Sequence, residues 1–361
     1  MTAKGLAHTT NPPWTWLCPI LALAVLAAAL AYPGELLFTL AAIALAGAVF
    51  SAVHHAEVIA YRVGEPFGTL VLAVAVTVIE VALIVSVMLS GGAEKAALAR
   101  DTVYAAIMIV GNGIVGLCLL IGGVRHHEQG FQVQGASAAL AVLCALSVLT
   151  LILPDYLITV PGPGLSNSQL LFAGAMSLLL YGAFVFVQTV SHRDYFLADT
   201  GSAETAFIPG NPAVLASVGL LLVALVAVVG LAKVLSPIVE RGVARAAAPE
   251  TLVGIVIAAL VLLPEALAAL KAARINRLQN SLNLALGSAL ASIGLTIPTV
   301  AVVSIVIGQP VLLGLGGKET VLLALTLVVG IITLGTGRTT VLQGLIHLVI
   351  FAAFLFFAVV P

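Results

Sequence analysis

Long apolar runs follow one another along nearly the whole chain, separated by short polar segments. About 20 apolar residues are enough for a helix to cross the hydrocarbon core of a bilayer. The pattern predicts eleven transmembrane helices, at residues 17–32, 36–53, 67–90, 102–122, 135–153, 169–190, 212–234, 251–271, 282–307, 319–335 and 340–359. The short alternating strands that are typical of an outer-membrane barrel do not occur, so the fold class is an all-α polytopic membrane protein.

The connections between the predicted helices are too short to contain a soluble domain. The longest, residues 191–211, separates helices 2–6 from helices 7–11. The first helix could instead be a signal peptide, because AAALA at 27–31 offers small residues for cleavage. Trp14 and Trp16 are typical of interfacial anchors and favour a retained helix.

Composition leads to the same class of protein. The 361 residues are 61% hydrophobic and only 8% charged, whereas soluble domains carry roughly 25% charged residues. The formal net charge of -1 argues against nucleic acid as a partner and leaves the lipid bilayer as the surroundings. Cys18, Cys118 and Cys144 form no CxxC motif, so neither a disulfide framework nor a thiolate metal site is expected.

Two glutamates lie deep inside apolar runs. Glu80 is in the third predicted helix and Glu265 is in the eighth. Ionisable side chains within transmembrane segments are costly and usually mark ion pathways or proton relays. The pair is therefore the best functional clue in the sequence, with a purely structural hydrogen bond as the alternative.

The surroundings of the two glutamates repeat. Glu65 and Glu250 each lie 15 residues upstream of a membrane glutamate, next to a proline at the start of a helix. Each glutamate helix is followed by a helix containing a glycine and a small polar residue, in GNGIVG (111–116) and GSALAS (287–292). Because the copies are five helices apart, an odd number, they run in opposite directions across the membrane. Inverted repeats with a binding site near the midplane are common in secondary transporters.

The sequence therefore predicts four parts. Residues 1–35 form an N-terminal segment and helix, 36–190 form the first five-helix repeat, 191–211 form a connecting loop, and 212–361 form the second repeat.

Three segments resemble a known family: EPFGTLVLAVAVTVIEVALI, GNGIVGLCLLIGG and LLPEALAALKAARINRLQNSLNLALGSALASIGLTIP. They look like the bacterial ChaA-type branch of the calcium/cation antiporter superfamily. The resemblance implies a cytoplasmic-membrane antiporter that exchanges Ca²⁺, Na⁺ or K⁺ for H⁺, with no cofactor and no enzymatic activity. The superfamily's repeat glutamates correspond to Glu80 and Glu265.

The resemblance also implies further ligands. The superfamily often has Asn three residues before each glutamate, where this chain has Thr77 and Leu262. Polar positions of the following helices correspond to Asn112 in the first repeat and to Ser288 and Ser292 in the second. Hydroxyl groups in membrane helices also form ordinary hydrogen bonds between helices, and that alternative remains open for these residues.

Two carboxylates at one midplane site would carry a charge of about -2, which one Ca²⁺, two Na⁺ or two protons would compensate. The pair would titrate as a coupled unit, and competition between protons and cation would couple the two fluxes. A carrier specific for Na⁺ or K⁺ is the nearest alternative. A passive cation channel is more distant, because channels usually gather rings of residues from several subunits. An intramembrane enzyme lacks support, since no HExxH motif is present.

Two histidine pairs, His54–His55 and His126–His127, are predicted in loops on the N-terminal side of the membrane. They are candidates for sensing pH or binding a regulatory metal, with ordinary loop histidines as the alternative. His347, alone in the last predicted helix, is interpreted as a packing residue or a hydrogen-bond donor.

Lysine and arginine residues give a weak bias toward a cytoplasmic N-terminus. In that orientation the cytoplasmic side carries Lys4, Arg62, Arg125, Arg193, Lys271, Arg274, Arg277 and Arg338. The opposite side carries Lys95, Arg100, Lys233, Arg241, Arg245 and Lys318.

Overall fold

The computed structural model describes residues 11–32, 34–64, 67–91, 96–197, 209–245, 249 and 251–360. Eleven helices occur in this part of the chain. They are α1 (Pro13–Ala31), α2 (Glu35–Val63), α3 (Phe67–Gly91), α4 (Leu98–His126), α5 (Val133–Tyr156), α6 (Asn167–Ser191), α7 (Asn211–Arg245), α8 (Thr251–Arg274), α9 (Leu278–Ile307), α10 (Gly317–Leu334) and α11 (Val341–Val359). Two short strands, β1 (Gln129–Gly130) and β2 (Arg338–Thr339), complete the structure.

The predicted membrane class is confirmed. Among the described residues, ten helices are long and apolar enough to cross a bilayer. The eleventh, α3, contains the shorter apolar stretch Ala73–Ser86. Because a membrane offers no water to the backbone, these helices satisfy their own N–H and C=O groups.

Local sequence accounts for several helix ends. Ser166 and Gln169 form a capping box at the start of α6, and Thr340 and Gln343 form another at the start of α11. Gly64 ends α2 with φ of 77°, a conformation that glycine adopts without steric cost.

Two helices end ten or more residues beyond their predicted ends. α2 was expected to end at residue 53 but continues to Val63, and α7 was expected to end at 234 but continues to Arg245. In both cases hydropathy falls where polar side chains begin, although the backbone remains helical. In α2 these polar side chains include His54 and His55, which are buried inside the fold.

The chain divides into two compact units. Unit 1 takes its described residues from Met1–Ser90 and Thr200–Ala246. Within it α1, α2 and α7 pack against one another. Unit 2 takes its described residues from Gly91–Asp199 and Ala247–Pro361, and contains α4–α6 and α8–α11.

Unit 2 is built from matching helix pairs. α4, from the first repeat, packs against α11, and α9, its counterpart in the second repeat, packs against α6. α8 packs against both α4 and α9. α4 therefore contacts the last helix of the second repeat, and α9 contacts the last helix of the first repeat.

Two backbone pairings in unit 2 establish the direction of the repeats. β1, which precedes α5, pairs with β2, which follows α10, and Gly164, which follows α5, bridges to Leu312, which precedes α10. α5 and α10 therefore run in opposite directions. The helices before and after them in the chain follow the same rule: α4 and α9 run in opposite directions, and so do α6 and α11. Within unit 2 the inverted relation predicted from the sequence is confirmed.

These pairings also define two ends of unit 2. The β end contains Gln129–Gly130 and Arg338–Thr339, and the bridge end contains Gly164 and Leu312. Among described side chains, the β end carries six basic and two acidic residues: Arg125, Arg193, Lys271, Arg274, Arg277 and Arg338, with Glu128 and Asp194. At the bridge end the described side chains include two basic and three acidic residues: Arg100 and Lys318, with Asp101, Asp155 and Glu319.

Candidate functional site

Glu80 lies near the middle of α3, in unit 1. Its side chain is only 2% exposed. One turn earlier, Thr77 is also buried, and its hydroxyl donates to the carbonyl oxygen of Ala73 at 2.8 Å. The Thr77 oxygen keeps lone-pair capacity while its proton is used within the helix.

Glu265 lies near the middle of α8, in unit 2, and is 6% exposed. Pro264 precedes it inside the helix. Proline has no N–H, so the carbonyl oxygen of Leu260, four residues earlier, loses its usual helical donor. The sequence thus places a backbone oxygen with spare acceptor capacity one turn from the Glu265 carboxylate. Such breaks are tolerated in membranes where they line a cavity or find partners within the protein.

Leu262, at the position where the superfamily often has Asn, is buried and apolar. It contributes no side-chain oxygen to this helix.

Asn112 lies on α4 inside a π-helical turn, Ile109–Ile114. Such turns are rare and occur frequently at functional sites. The Asn112 side chain is fully buried. Its Nδ2 donates to Thr326 Oγ1 of α10 at 2.8 Å, and its Oδ1 lies 3.1 Å from His347 Nδ1 of α11. Three helices of unit 2 therefore meet at this amide.

The glycines around Asn112 allow this meeting. A Cβ added at Gly113 would lie 3.2 Å from the Phe351 ring, and one added at Gly116 would lie 3.0 Å from His347 Cβ. On the facing helix, a Cβ at Gly344 would lie 2.5 Å from the backbone nitrogen of Leu120. α4 and α11 thus approach each other through small residues, as membrane helices commonly do.

The equivalent helix of the second repeat, α9, carries Ser288 and Ser292. Ser288 is half-buried and Ser292 is buried. A Cβ added at Gly294 would lie 2.6 Å from Tyr181 Cβ of α6, so α9 approaches α6 as closely as α4 approaches α11. The two serines therefore lie on a helix that packs closely against α6, as α4 packs against α11.

The predicted site residues are divided between the two units. Thr77 and Glu80 lie in unit 1, whereas Glu265 lies in unit 2 with Asn112 and the α9 serines. A single site shared by both glutamates stays a prediction from the repeat in the sequence.

The prediction that His54 and His55 lie in a loop is wrong, because both are buried within α2. The His54 ring centroid lies 5.4 Å from that of Trp14 and 5.6 Å from that of His55. A proline in α1 leaves a carbonyl oxygen that His55 contacts. Pro19 gives no N–H to the Thr15 carbonyl, which instead lies 2.9 Å from His55 Nε2.

The Thr15 carbonyl has a second donor, since Ser51 Oγ donates to it at 2.5 Å. His55 Nδ1 lies 3.2 Å from Ser217 Oγ of α7. His55 therefore joins α1, α2 and α7 by hydrogen bonds inside unit 1.

His126 is the last residue of α4, which continues four residues past its predicted end at 122, and His127 follows it. His126 Nε2 is 3.1 Å from the Arg274 carbonyl oxygen, and His127 has a positive φ of 65°. In the described part of the chain no group of three or more His, Cys, Asp or Glu side chains could hold a metal ion. A role for either histidine pair in sensing stays a prediction.

Sequence reasoning missed Thr326 and Thr333, the partners that complete the surroundings of Asn112 and His347. His347 Nε2 lies 3.2 Å from Thr333 Oγ1. His347 itself was interpreted as a packing residue or a hydrogen-bond donor, and its contact with Asn112 agrees with the second interpretation. The sequence signal for the role of His347 was a single imidazole within an otherwise apolar helix.

Comparison with known proteins identifies a family. The sequence profile described as "Sodium/calcium exchanger protein" matches residues 34–190 and again residues 216–360. Each match spans nearly all of one predicted five-helix repeat.

Two relatives and one solved structure are similar over most of the chain. The "Putative ionic transporter y4hA" of Sinorhizobium fredii (strain NBRC 101917 / NGR234) is 50% identical over 357 residues, 97% of each chain. The "Sodium-potassium/proton antiporter ChaA" of Escherichia coli (strain K12) is 36% identical over 321 residues, 88% of this chain and 87% of the relative. The crystal structure of the H⁺/Ca²⁺ exchanger CAX is 16% identical and superposes with a TM-score of 0.71, covering 98% of this chain and 87% of that one. The last similarity concerns the fold.

Proposed function

The chain belongs to the sodium/calcium exchanger protein family, and we propose that it is a secondary active cation/proton antiporter that exchanges Ca²⁺ for H⁺. The observation that carries the proposal is a buried glutamate near the middle of one apolar helix in each repeat, Glu80 and Glu265. The name of the Escherichia coli relative, a sodium-potassium/proton antiporter, supports adding Na⁺ and K⁺ to the cations that are exchanged.

Competition for the two carboxylates would couple the fluxes. A buried carboxylate is stable in hydrocarbon surroundings only when a proton or a cation compensates its charge. Ca²⁺ prefers six to eight oxygen ligands at about 2.3–2.6 Å, and carboxylate, amide, hydroxyl and backbone oxygens can supply them. Antiport follows when the binding site opens to the other side of the membrane only after a cation or protons have compensated the charge of the carboxylates.

The remaining ligands belong to the proposal. The candidates are Thr77 on α3, Asn112 on α4, and Ser288 and Ser292 on α9. The Asn112 amide is already oriented by its two partners, which supports its use as a fixed oxygen ligand. Thr77 and the serines offer hydroxyl oxygens without added charge.

The proposal includes an orientation in the membrane, which the charges of unit 2 support. The β end of unit 2 has the excess of arginine and lysine that marks the cytoplasmic side of bacterial membrane proteins. α4 begins at the opposite, bridge end, so three membrane crossings by the helices before it would put the N-terminus on the cytoplasmic side. This agrees with the orientation predicted from the sequence, and bacterial relatives support a cytoplasmic membrane.

Proton flux in proteoliposomes tests the proposal. Protein is reconstituted with a pH-sensitive dye, and Ca²⁺, Na⁺, K⁺ or Mg²⁺ is added to one side at several pH values. We expect Ca²⁺ to drive proton movement in the opposite direction, and Glu80→Gln and Glu265→Gln each to abolish it.

The matched control is Glu128→Gln. Glu128 lies at the β end, where its carboxylate is 3.7 Å from Arg338 Nη1 and half exposed, so its loss should leave exchange intact. Cation current without proton movement would indicate a channel, and proton movement driven by Na⁺ or K⁺ but never by Ca²⁺ would indicate a monovalent carrier. Either result would contradict the proposal.

A further inference from the structure

A continuous chain of hydrogen bonds runs from α10 through Asn112 to α11 in unit 2. Thr326 Oγ1 donates to the Leu322 carbonyl oxygen at 2.7 Å, and Asn112 Nδ2 donates to Thr326 Oγ1 at 2.8 Å. His347 contacts Asn112 Oδ1 through Nδ1 at 3.1 Å and Thr333 Oγ1 through Nε2 at 3.2 Å. All four side chains in the chain are buried. Buried polar networks contribute most when every member has a partner.

The order of donors follows from the contacts in the structure. The Thr326 hydroxyl donates to the Leu322 carbonyl oxygen at 2.7 Å, with Met108 Sδ as a longer alternative acceptor at 3.4 Å, and the Thr326 oxygen accepts from the Asn112 NH₂ group at 2.8 Å. This contact orients the amide, so the group facing His347 is the oxygen Oδ1. With Oδ1 facing it, His347 Nδ1 carries a proton and donates it to Asn112, with the Gly111 backbone as a further hydrogen-bond partner of the imidazole, while Nε2 accepts from the Thr333 hydroxyl. A neutral imidazole in a single tautomer therefore satisfies the whole chain.

Packing alone does not distinguish the two orientations of the amide, because its oxygen and its NH₂ group are similar in size. A cavity of about 20 Å³ lies beside the network and is lined by Gly111, Thr326 and His347 together with apolar side chains. A cavity of this size has room for about one water molecule. Thr326 and His347 thus have space on one side. The hydrogen bonds to these two side chains select one orientation of the amide over the flipped one.

We propose that His347 is a positioning residue of the cation site, which presents Asn112 Oδ1 as a ligand by holding the amide through Nδ1–H. The proposal rests on the function proposed above. A carbonyl oxygen has two lone pairs, so Oδ1 can accept from His347 and still coordinate a cation. A flipped amide would instead present an NH₂ group, whose protons repel a cation.

The variants separate positioning from packing. His347→Leu keeps an apolar side chain but removes the donor, and Thr326→Val removes the acceptor that orients the NH₂ group. His347→Asn keeps an N–H donor close to the position of Nδ1. A typical net hydrogen bond is worth about 1 kcal/mol, which corresponds to roughly a fivefold change in an equilibrium constant.

The readouts are the apparent KM for Ca²⁺ in proteoliposomes and the Kd for Ca²⁺ of the purified protein by calorimetry, which requires no turnover. We expect His347→Leu and Thr326→Val each to raise both constants about fivefold or more, with a smaller change in maximal rate. His347→Asn should restore most of the affinity.

A double variant gives the decisive comparison. If His347 acts through Asn112, adding His347→Leu to Asn112→Ala should not weaken Ca²⁺ binding further, because coupled residues are not additive. Additive losses, or a His347→Leu variant with wild-type Kd, would overturn the proposal. If His347→Leu does not fold, Thr326→Val takes its place in this double-variant comparison. Absence of exchange by the wild type would instead refute the proposed function, so the two failures are distinguishable.

Discussion

Gly344→Ala tests the close approach of α4 and α11. The added Cβ would lie 2.5 Å from Leu120 N, 2.8 Å from Leu120 Cα and 3.0 Å from the Gly116 carbonyl oxygen. All three atoms belong to the backbone, so no side chain can rotate out of the way. Reaching ordinary contact requires the helices to separate locally by roughly 0.9 Å.

That separation affects the amide network directly. His347 Nδ1 is 3.1 Å from Asn112 Oδ1, and a shift of about 0.9 Å would carry the pair to roughly 4 Å, beyond hydrogen-bond distance. Overpacking typically costs about 1–3 kcal/mol, and the lost hydrogen bond adds about 1 kcal/mol. We expect the midpoint of thermal unfolding to fall by several degrees and the apparent KM for Ca²⁺ to rise.

Thermal unfolding of the purified protein in detergent and Ca²⁺-driven proton flux are the two assays. Gly182→Ala is the matched control, since Gly182 is also inside a helix of unit 2 but nothing lies within 4 Å of its added Cβ. It should be neutral or slightly stabilising, because alanine is a better helix former than glycine. A Gly344→Ala variant with the wild-type melting midpoint and KM would refute the packing argument.

Three further predictions follow from other parts of the structure. Ser51→Ala should destabilise the protein by about 1 kcal/mol. In a Pro19→Ala background the same substitution should cost less, because residue 19 then regains an N–H for the Thr15 carbonyl. Strictly additive losses in a double-mutant cycle measured by thermal unfolding would contradict this. Lowering the pH should raise the apparent KM for Ca²⁺ and leave the maximal rate at saturating Ca²⁺ largely unchanged, because protons and Ca²⁺ compete for the same carboxylates; a KM independent of pH would argue against competition. In a variant without the three native cysteines, Ile158→Cys at the bridge end should react with an impermeant maleimide added outside cells, while Thr336→Cys at the β end should not; the reverse pattern would invert the orientation.

Much of the fold could be predicted because hydropathy and helix length are local properties. Each of the eleven helices in the described part of the chain was predicted, because each coincides with an apolar run in the sequence. The boundaries of α2 failed because His54 and His55 look like loop residues by hydropathy. The polarity of His55 is used inside the fold, where it contacts the carbonyl that Pro19 leaves without a helical donor.

The site was predictable only in part, for a physical reason. Glu80, Glu265 and Asn112 are recognisable because each is costly or unusual in its own helix. Thr326 and His347 lie 214 and 235 residues after Asn112, and only the packing of α10 and α11 on α4 brings them to the amide. Threonine in a membrane helix gives no sequence signal that separates such a contact from a bond to its own backbone.

The most direct test of the central claim is simultaneous recording of Ca²⁺ uptake and proton release in proteoliposomes containing wild type, Glu80→Gln or Glu265→Gln. Competition for the two buried carboxylates predicts that the two fluxes are coupled in the wild type, and that each single substitution abolishes both. Coupled exchange that persists in either glutamine variant would contradict the account.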